Sequence, residues 1–111
     1  MPPRYVLGVD FGSDSVRSLV MNAEDGEPLG SAVVFYRRWA DGRYSKPEWG
    51  QFRQHPLDHL EGLQRSVRRA LEAASQRTRD RRLDEKVVGL GVDTTGSTVA
   101  PVDAEGNPLA L

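Results

Sequence analysis

The sequence predicts an α/β domain containing a parallel strand pair, and three observations carry that prediction. Two apolar runs, at residues 5–9 and 87–92, lead directly into aspartates, Asp10 and Asp93. Each aspartate opens a loop rich in Gly, Ser and Thr, FGSDSVR after the first and TTGST after the second. A helix-length segment separates the two runs. Strands joined by a helical crossover lie parallel, so both aspartates reach the carboxyl edge of one sheet. Open α/β sheets place their ligands at that edge. The pair points to a phosphate-handling cleft with a nucleotide side and a side for a polar small molecule.

The elements follow in order. Residues 5–9 are apolar at nearly every position, as expected of a strand covered on both faces. Residues 11–13 supply a Gly-containing turn, and residues 16–21 resume a strand. Asp25-Gly26 is a hairpin signal, and residues 28–36 are rich in β-formers, so the opening reads as an antiparallel meander of three strands. Residues 37–54 read as a long polar loop that nevertheless holds Trp39, Tyr44, Trp49 and Phe52. Those aromatics either cover the sheet or wall a ligand cleft. A helix then starts near Pro56, whose missing N–H costs nothing in a first turn. Asp58 stands where a carboxylate favours the helix dipole. Leu57, Leu60, Leu63, Val67, Leu71 and Ala74 form one apolar stripe. Residues 87–92 read as a buried parallel strand, and residues 98–102 and 108–111, around a turn at residues 104–107, as a closing hairpin. The order is βββαβ with two short strands after it.

Composition bounds the function. A chain of 111 residues is one compact domain at most and buries roughly 65% of its unfolded surface. A net charge of -1 provides no field for steering nucleic acid or an anionic membrane. The arginine-dense stretch SQRTRDRRLDEK has acids interspersed and reads as a solvated helix end and loop. The absence of cysteine excludes disulfides and thiolate metal sites. The opening MPPRYVLGVD lacks a secretory pattern, and no run approaches the roughly 20 apolar residues that span a bilayer. A soluble, cytoplasmic chain is the expectation.

Two loops carry the chemistry. After the first run, Gly12 allows close approach of a phosphate, while N–H groups and the hydroxyls of Ser13 and Ser15 donate to its oxygens. Asp10 suits hydrated Mg²⁺, which takes a carboxylate or two and keeps its waters. Arg17 contacts phosphate or merely pairs with Asp14. Alone, this segment also fits a plain hairpin. After the second run, Asp93, Thr94, Thr95, Ser97 and Thr98 surround Gly96 with oxygen-bearing side chains. That suits sugar or polyol hydroxyls, or else Thr and Ser capping their own backbone. His55 and His59 lie four apart, with no further metal ligand evident nearby. Serine-hydrolase chemistry fits poorly, since no G-x-S-x-G elbow exists.

At these residues the chain resembles a known family. DFGSDSVRS is similar to the first phosphate motif of the actin, hexokinase and sugar-kinase superfamily, whose domains have a ribonuclease-H-like βββαβ core. Together with QFRQHPLDHLEGL and VVGLGVDTTGSTVAPVDAEGNPLAL it resembles the FGGY carbohydrate kinases, and within them the ribulokinase branch. Xylulose kinases carry a Gly-Gln-Met-His run in place of GVDTTGST. The resemblance covers essentially the whole chain and implies an incomplete first portion of an N-terminal domain. It implies ATP-dependent phosphorylation of L-ribulose at its 5-hydroxyl, in arabinose catabolism. By resemblance, Asp10, Gly12, Ser13, Ser15 and Arg17 serve Mg-ATP, while Thr95, Gly96 and Ser97 meet the sugar. It also implies that the general base and the adenosine-binding motifs lie beyond residue 111, so the fragment alone is inactive. The apolar runs then predict bare sheet surface and self-association of the fragment. The alternatives are a family member acting on another ketose or polyol (xylulose, ribitol), or a free-standing nucleotide- or sugar-binding domain.

Overall fold

The structure, a computed structural model, describes residues 2–109. Strands β1 (Tyr5–Phe11), β2 (Ser15–Asn22) and β3 (Pro28–Phe35) form the expected antiparallel meander. A one-turn helix α1 (Arg37–Ala40) follows, then the two-residue strands β4 (Ser45–Lys46) and β5 (Gln51–Phe52). The long helix α2 (Pro56–Thr78) returns the chain to β6 (Val87–Thr94), which lies parallel to β1. The sheet order is β3-β2-β1-β6, so β1 is flanked by both of the strands that matter to the site.

Side-chain alternation decides which face α2 covers. Tyr5, Leu7 and Val9 of β1 and Val16, Ser18 and Val20 of β2 are buried beneath it. Their neighbours Val6, Gly8, Leu19 and Met21 are only half-buried on the opposite face. The expectation of a first strand covered on both faces is therefore corrected. Apolar residues at successive positions look the same whether one face or two are covered, and no described element packs on the second face.

The seam between α2 and the sheet differs from the predicted leucine stripe. Its buried positions are Asp58, Gly62, Ser66, Ala70 and Ala74, each four residues from the next and all small but the first. Leu63, Val67 and Leu71 flank this seam half-buried, and Leu60 is exposed. The reason is distance. A Cβ on Gly30 of β3 would lie 2.5 Å from the Ala70 carbonyl oxygen, and one on Gly62 would lie 2.7 Å from Val16 Cγ1. The helix sits so close that only small side chains fit beneath it, and larger ones splay to its sides. Ser66 donates to the Leu63 carbonyl at 3.2 Å, so the 2.7 Å bond within the seam has Ser18 as donor.

Residues 37–54 are not one loop. Asp58, 2% exposed, accepts from the backbone N–H groups of Arg38 and Trp39 at 3.2 and 3.1 Å. It also takes the Arg38 guanidinium at 3.0 Å, and Glu61 takes the same guanidinium at 3.1 Å. The carboxylate expected to serve the dipole of α2 thus caps α1 as well. β4 and β5 pair antiparallel around one turn of 3-10 helix, Pro47–Trp49.

The arginine-dense stretch is a solvated helix end, as expected, with Arg77 paired to Glu27 and Lys86 to Asp80. Two further corrections concern the C-terminal part. β6 is not buried: Val88, Leu90 and Val92 are 61%, 63% and 57% exposed, because α2 lies over β2 and β3 instead. The closing hairpin reduces to a single antiparallel bridge between Val102 and Pro108, and residues 110–111 of it lie outside the described residues.

Candidate functional site

The turn after β1 is tight. Gly12 N–H donates to the Ser15 carbonyl at 2.8 Å, and a Cβ at Gly12 would lie 3.1 Å from that oxygen. The Ser15 hydroxyl donates to Asp14 at 3.1 Å. Among the described residues, the backbone N–H groups of Ser13 and Asp14 have no internal acceptor. Two adjacent free amides on an exposed turn are the donors a phosphate needs.

Across the sheet edge, Asp10 stands between Arg17 of β2 and Asp93 of β6 in one row. Paired residues on neighbouring strands point to the same side, at a strand spacing of roughly 4.8 Å. The row faces away from α2 and is exposed. Among the described residues Arg17 makes no ion pair, and its cross-strand neighbour in the sheet is Asp10. Two solvated carboxylates flanked by a guanidinium fit a hydrated magnesium ion held through water, with anionic phosphate beside it.

The other side of the same edge holds a cleft of about 560 Å³. Phe11, Tyr44, Gln54, His59, Thr95 and Val99 contribute to its walls, with Arg53 supplying a cation. Each wall has a local cause. Thr95 continues the ladder, its N–H donating to the Phe11 carbonyl at 3.1 Å. His55 caps α2, its Nδ1 accepting from Leu57 N–H at 3.1 Å. His59 stands between two aromatic edges, 5.8 Å from Phe11 and 5.1 Å from Tyr36 by ring centre. Burial pushes its pKa below the ordinary 6.5, against the opposing pull of Asp58. Burial and the carboxylates of Asp10, Asp14 and Asp58 push Tyr36 up to about 12. Its hydroxyl is buried with no hydrogen-bond partner among the described residues.

The sequence-derived candidates are thus divided by the sheet. Asp10 and Arg17 lie on the open face, Gly12, Ser13 and Ser15 in the turn, and Thr95 in the cleft. Gly96 and Ser97 are exposed on the loop that follows Thr95 and do not line the cleft. The aromatics of residues 37–54 divide too. Tyr44 walls the cleft, Trp39 packs against Phe52 at 6.4 Å, and exposed Trp49 lies under Lys46 Nζ at 4.4 Å.

Sequence reasoning passed over Gln54. Its side chain donates to the Ser13 carbonyl at 2.6 Å and to the Gly12 carbonyl at 3.3 Å. Its oxygen accepts from the Thr98 hydroxyl at 2.6 Å. One amide therefore ties the turn after β1 to the loop after β6. Its signal in the sequence was its place in the QFRQHPLDHLEGL segment, just before the His-Pro that starts α2.

Known proteins align with this arrangement. The chain is 48% identical over 108 residues to a ribulokinase of Vibrio parahaemolyticus, which covers 97% of this chain and 18% of that protein. It is 35% identical over 118 residues to a ribulokinase of Halalkalibacterium halodurans, covering all of this chain and 20% of that protein. Over its length the chain is similar to ribulokinases. It spans about a fifth of the length of the curated relatives it matches. No protein-family model matches the chain. In fold, this ribulokinase-like segment superposes on a xylulose kinase from Brucella ovis with a TM-score of 0.70 at 21% identity. That match covers 96% of this chain and 20% of the other, and it agrees with the α/β sugar-kinase fold expected from the motifs.

Proposed function

We propose that this segment belongs to an ATP-dependent kinase that phosphorylates L-ribulose at its 5-hydroxyl, in L-arabinose catabolism. One observation carries the reading. The parallel pair β1–β6 brings a phosphate-type turn and a hydroxyl-rich loop to one sheet edge, and Gln54 binds the two together. The similarity to ribulokinases along the whole segment supports the substrate class.

In this reading the free amides of Ser13 and Asp14 and the hydroxyls of Ser13 and Ser15 hold ATP phosphates. Asp10 orients hydrated magnesium, and Arg17 offsets phosphate charge beside it. Bound magnesium supplies charge neutralisation for the transferring phosphoryl group. Thr95, Gly96 and Ser97 meet the ketose from the other side of the edge, where the absent side chain of Gly96 leaves room. Phosphoryl transfer depends mostly on positioning and charge stabilisation, and these residues contribute both. No catalytic proton acceptor is assigned to this segment, and by itself it is expected to be inactive and to self-associate. The parent enzyme is expected to be soluble and cytoplasmic, with sugar and nucleotide as its partners.

The test is an assay of the full-length parent on L-ribulose, D-ribulose, ribitol and D-xylulose, with ADP release as readout. The highest kcat/KM is expected on L-ribulose. A preference for D-xylulose overturns the substrate, and no ATP-dependent transfer to any of the four overturns the kinase reading.

A further inference from the structure

The bridge made by Gln54 has a direction. Both acceptors of its Nε2 are carbonyl oxygens, and its Oε1 meets a hydroxyl, so the partners determine the amide's orientation. Thr98 has a single hydroxyl hydrogen, and Gln54 takes it at 2.6 Å. The 3.0 Å contact between Thr95 Oγ1 and Thr98 Oγ1 must then have Thr95 as its donor. Donation runs from Thr95 to Thr98, from Thr98 to Gln54, and from Gln54 to Ser13 and Gly12. Hydrogen bonds aligned in this way strengthen one another. Gln54 is also held along the backbone, between β5, which ends at Phe52, and the cap of α2 at His55. It cannot follow one loop without pulling on the other. Thr95, whose only hydrogen is committed, faces the cleft with lone pairs alone.

We infer that Gln54 is a positioning residue that couples the turn at residues 12–15 to the loop at residues 94–98, and that the relay presents Thr95 Oγ1 as an acceptor for a ligand hydroxyl. The small molecule at this atom is a hydroxyl donor such as a polyol or ketose. A phosphate or carboxylate oxygen, which offers only lone pairs, is repelled there. The identity of the two ligands rests on the kinase reading, whereas the bridge itself does not.

The test uses the full-length protein carrying this segment, with Gln54→Leu, Thr98→Val and the conservative Thr98→Ser. Calorimetry measures L-ribulose affinity with and without a non-hydrolysable ATP analogue. The ratio of the two affinities is expected to be about fivefold or more in the unaltered protein. It falls to near one in Gln54→Leu and Thr98→Val, and Thr98→Ser retains it. An unchanged ratio in Gln54→Leu, or Thr98→Val behaving as Thr98→Ser does, overturns the coupling. Thr95→Val is expected to weaken ribulose binding about tenfold, the equivalent of one lost hydrogen bond. No change overturns the acceptor role. Hydrogen exchange of the ligand-free protein provides the readout that needs no ligand. Gln54→Leu raises exchange at residues 12–15 and 94–98 together, and a rise at only one of them overturns the bridge. If the unaltered protein binds neither ligand while both loops still respond, the kinase reading fails and the bridge stands.

Discussion

At the scale of single residues, the sheet edge separates side chains that are neighbours in sequence. Asp10 and Phe11 are neighbours, yet one belongs to the open face with Asp93 and the other to the cleft with His59. Asp10→Asn in the full-length enzyme is therefore expected to lower kcat about a hundredfold, the usual scale for losing one charge-stabilising group. Ribulose affinity should stay nearly intact, and calorimetry beside steady-state kinetics checks both. Gly96→Val should do the reverse and raise the sugar KM first. It is a clean probe, because a Cβ at Gly96 meets nothing within 4 Å and thermal stability should not change. His59 gives a pH prediction. Its pKa in the fold is lowered, so the unfolded chain takes up the proton more readily. The stability it contributes is fully present above its ordinary 6.5 and is lost as pH falls below that value toward the folded pKa. Urea titrations at stepped pH should show this loss in the unaltered protein, and His59→Phe should flatten it. The Gln54 bridge was not legible at this scale, because its partners are two backbone carbonyls and a hydroxyl more than forty positions away in sequence.

At the scale of elements, the strands and α2 were legible because hydrophobic periodicity reports them directly. Which side of α2 faces the sheet was not. Large apolar residues dominate a helical pattern, but here the closest approach belongs to Gly62, Ser66, Ala70 and Ala74. Gly30→Ala is expected to cost about 3 kcal/mol, at the upper end for overpacking, since the new methyl meets backbone atoms of α2 that cannot move aside. Gly62→Ala should cost less, about 1–2 kcal/mol, because its obstacle is a side-chain methyl of Val16. Chemical denaturation of the two variants in parallel decides the order, and equal losses would show that α2 can shift. The apolar run of β6 was read correctly as a parallel strand and wrongly as a buried one. Composition records what a strand can bury, and neighbours decide what it does bury.

For the whole molecule, the outer strand is the weak point. Val88, Leu90 and Val92 form an exposed apolar row on a sheet edge with no partner strand among the described residues. Such an edge invites pairing with another chain, and an apolar patch invites burial. The isolated segment is therefore expected to form dimers or larger species that light scattering detects across a concentration series. Leu90→Lys with Val92→Lys should shift it toward monomer. A monomer at every concentration without these changes would mean that the segment is self-sufficient.

The sequence by itself determined the opening three-strand meander, the helical crossover and the parallel pairing of the two aspartate-ended strands with their Gly- and hydroxyl-rich loops. Those features are local: alternation, turn residues and a crossover long enough for a helix. Only the tertiary structure decided that Asp10 and Thr95 lie on opposite sides of one edge, that small residues form the seam beneath α2, and that Gln54 joins the loops. Each of these depends on atoms from distant parts of the chain meeting within a few ångströms, and no pattern along the sequence carries a distance.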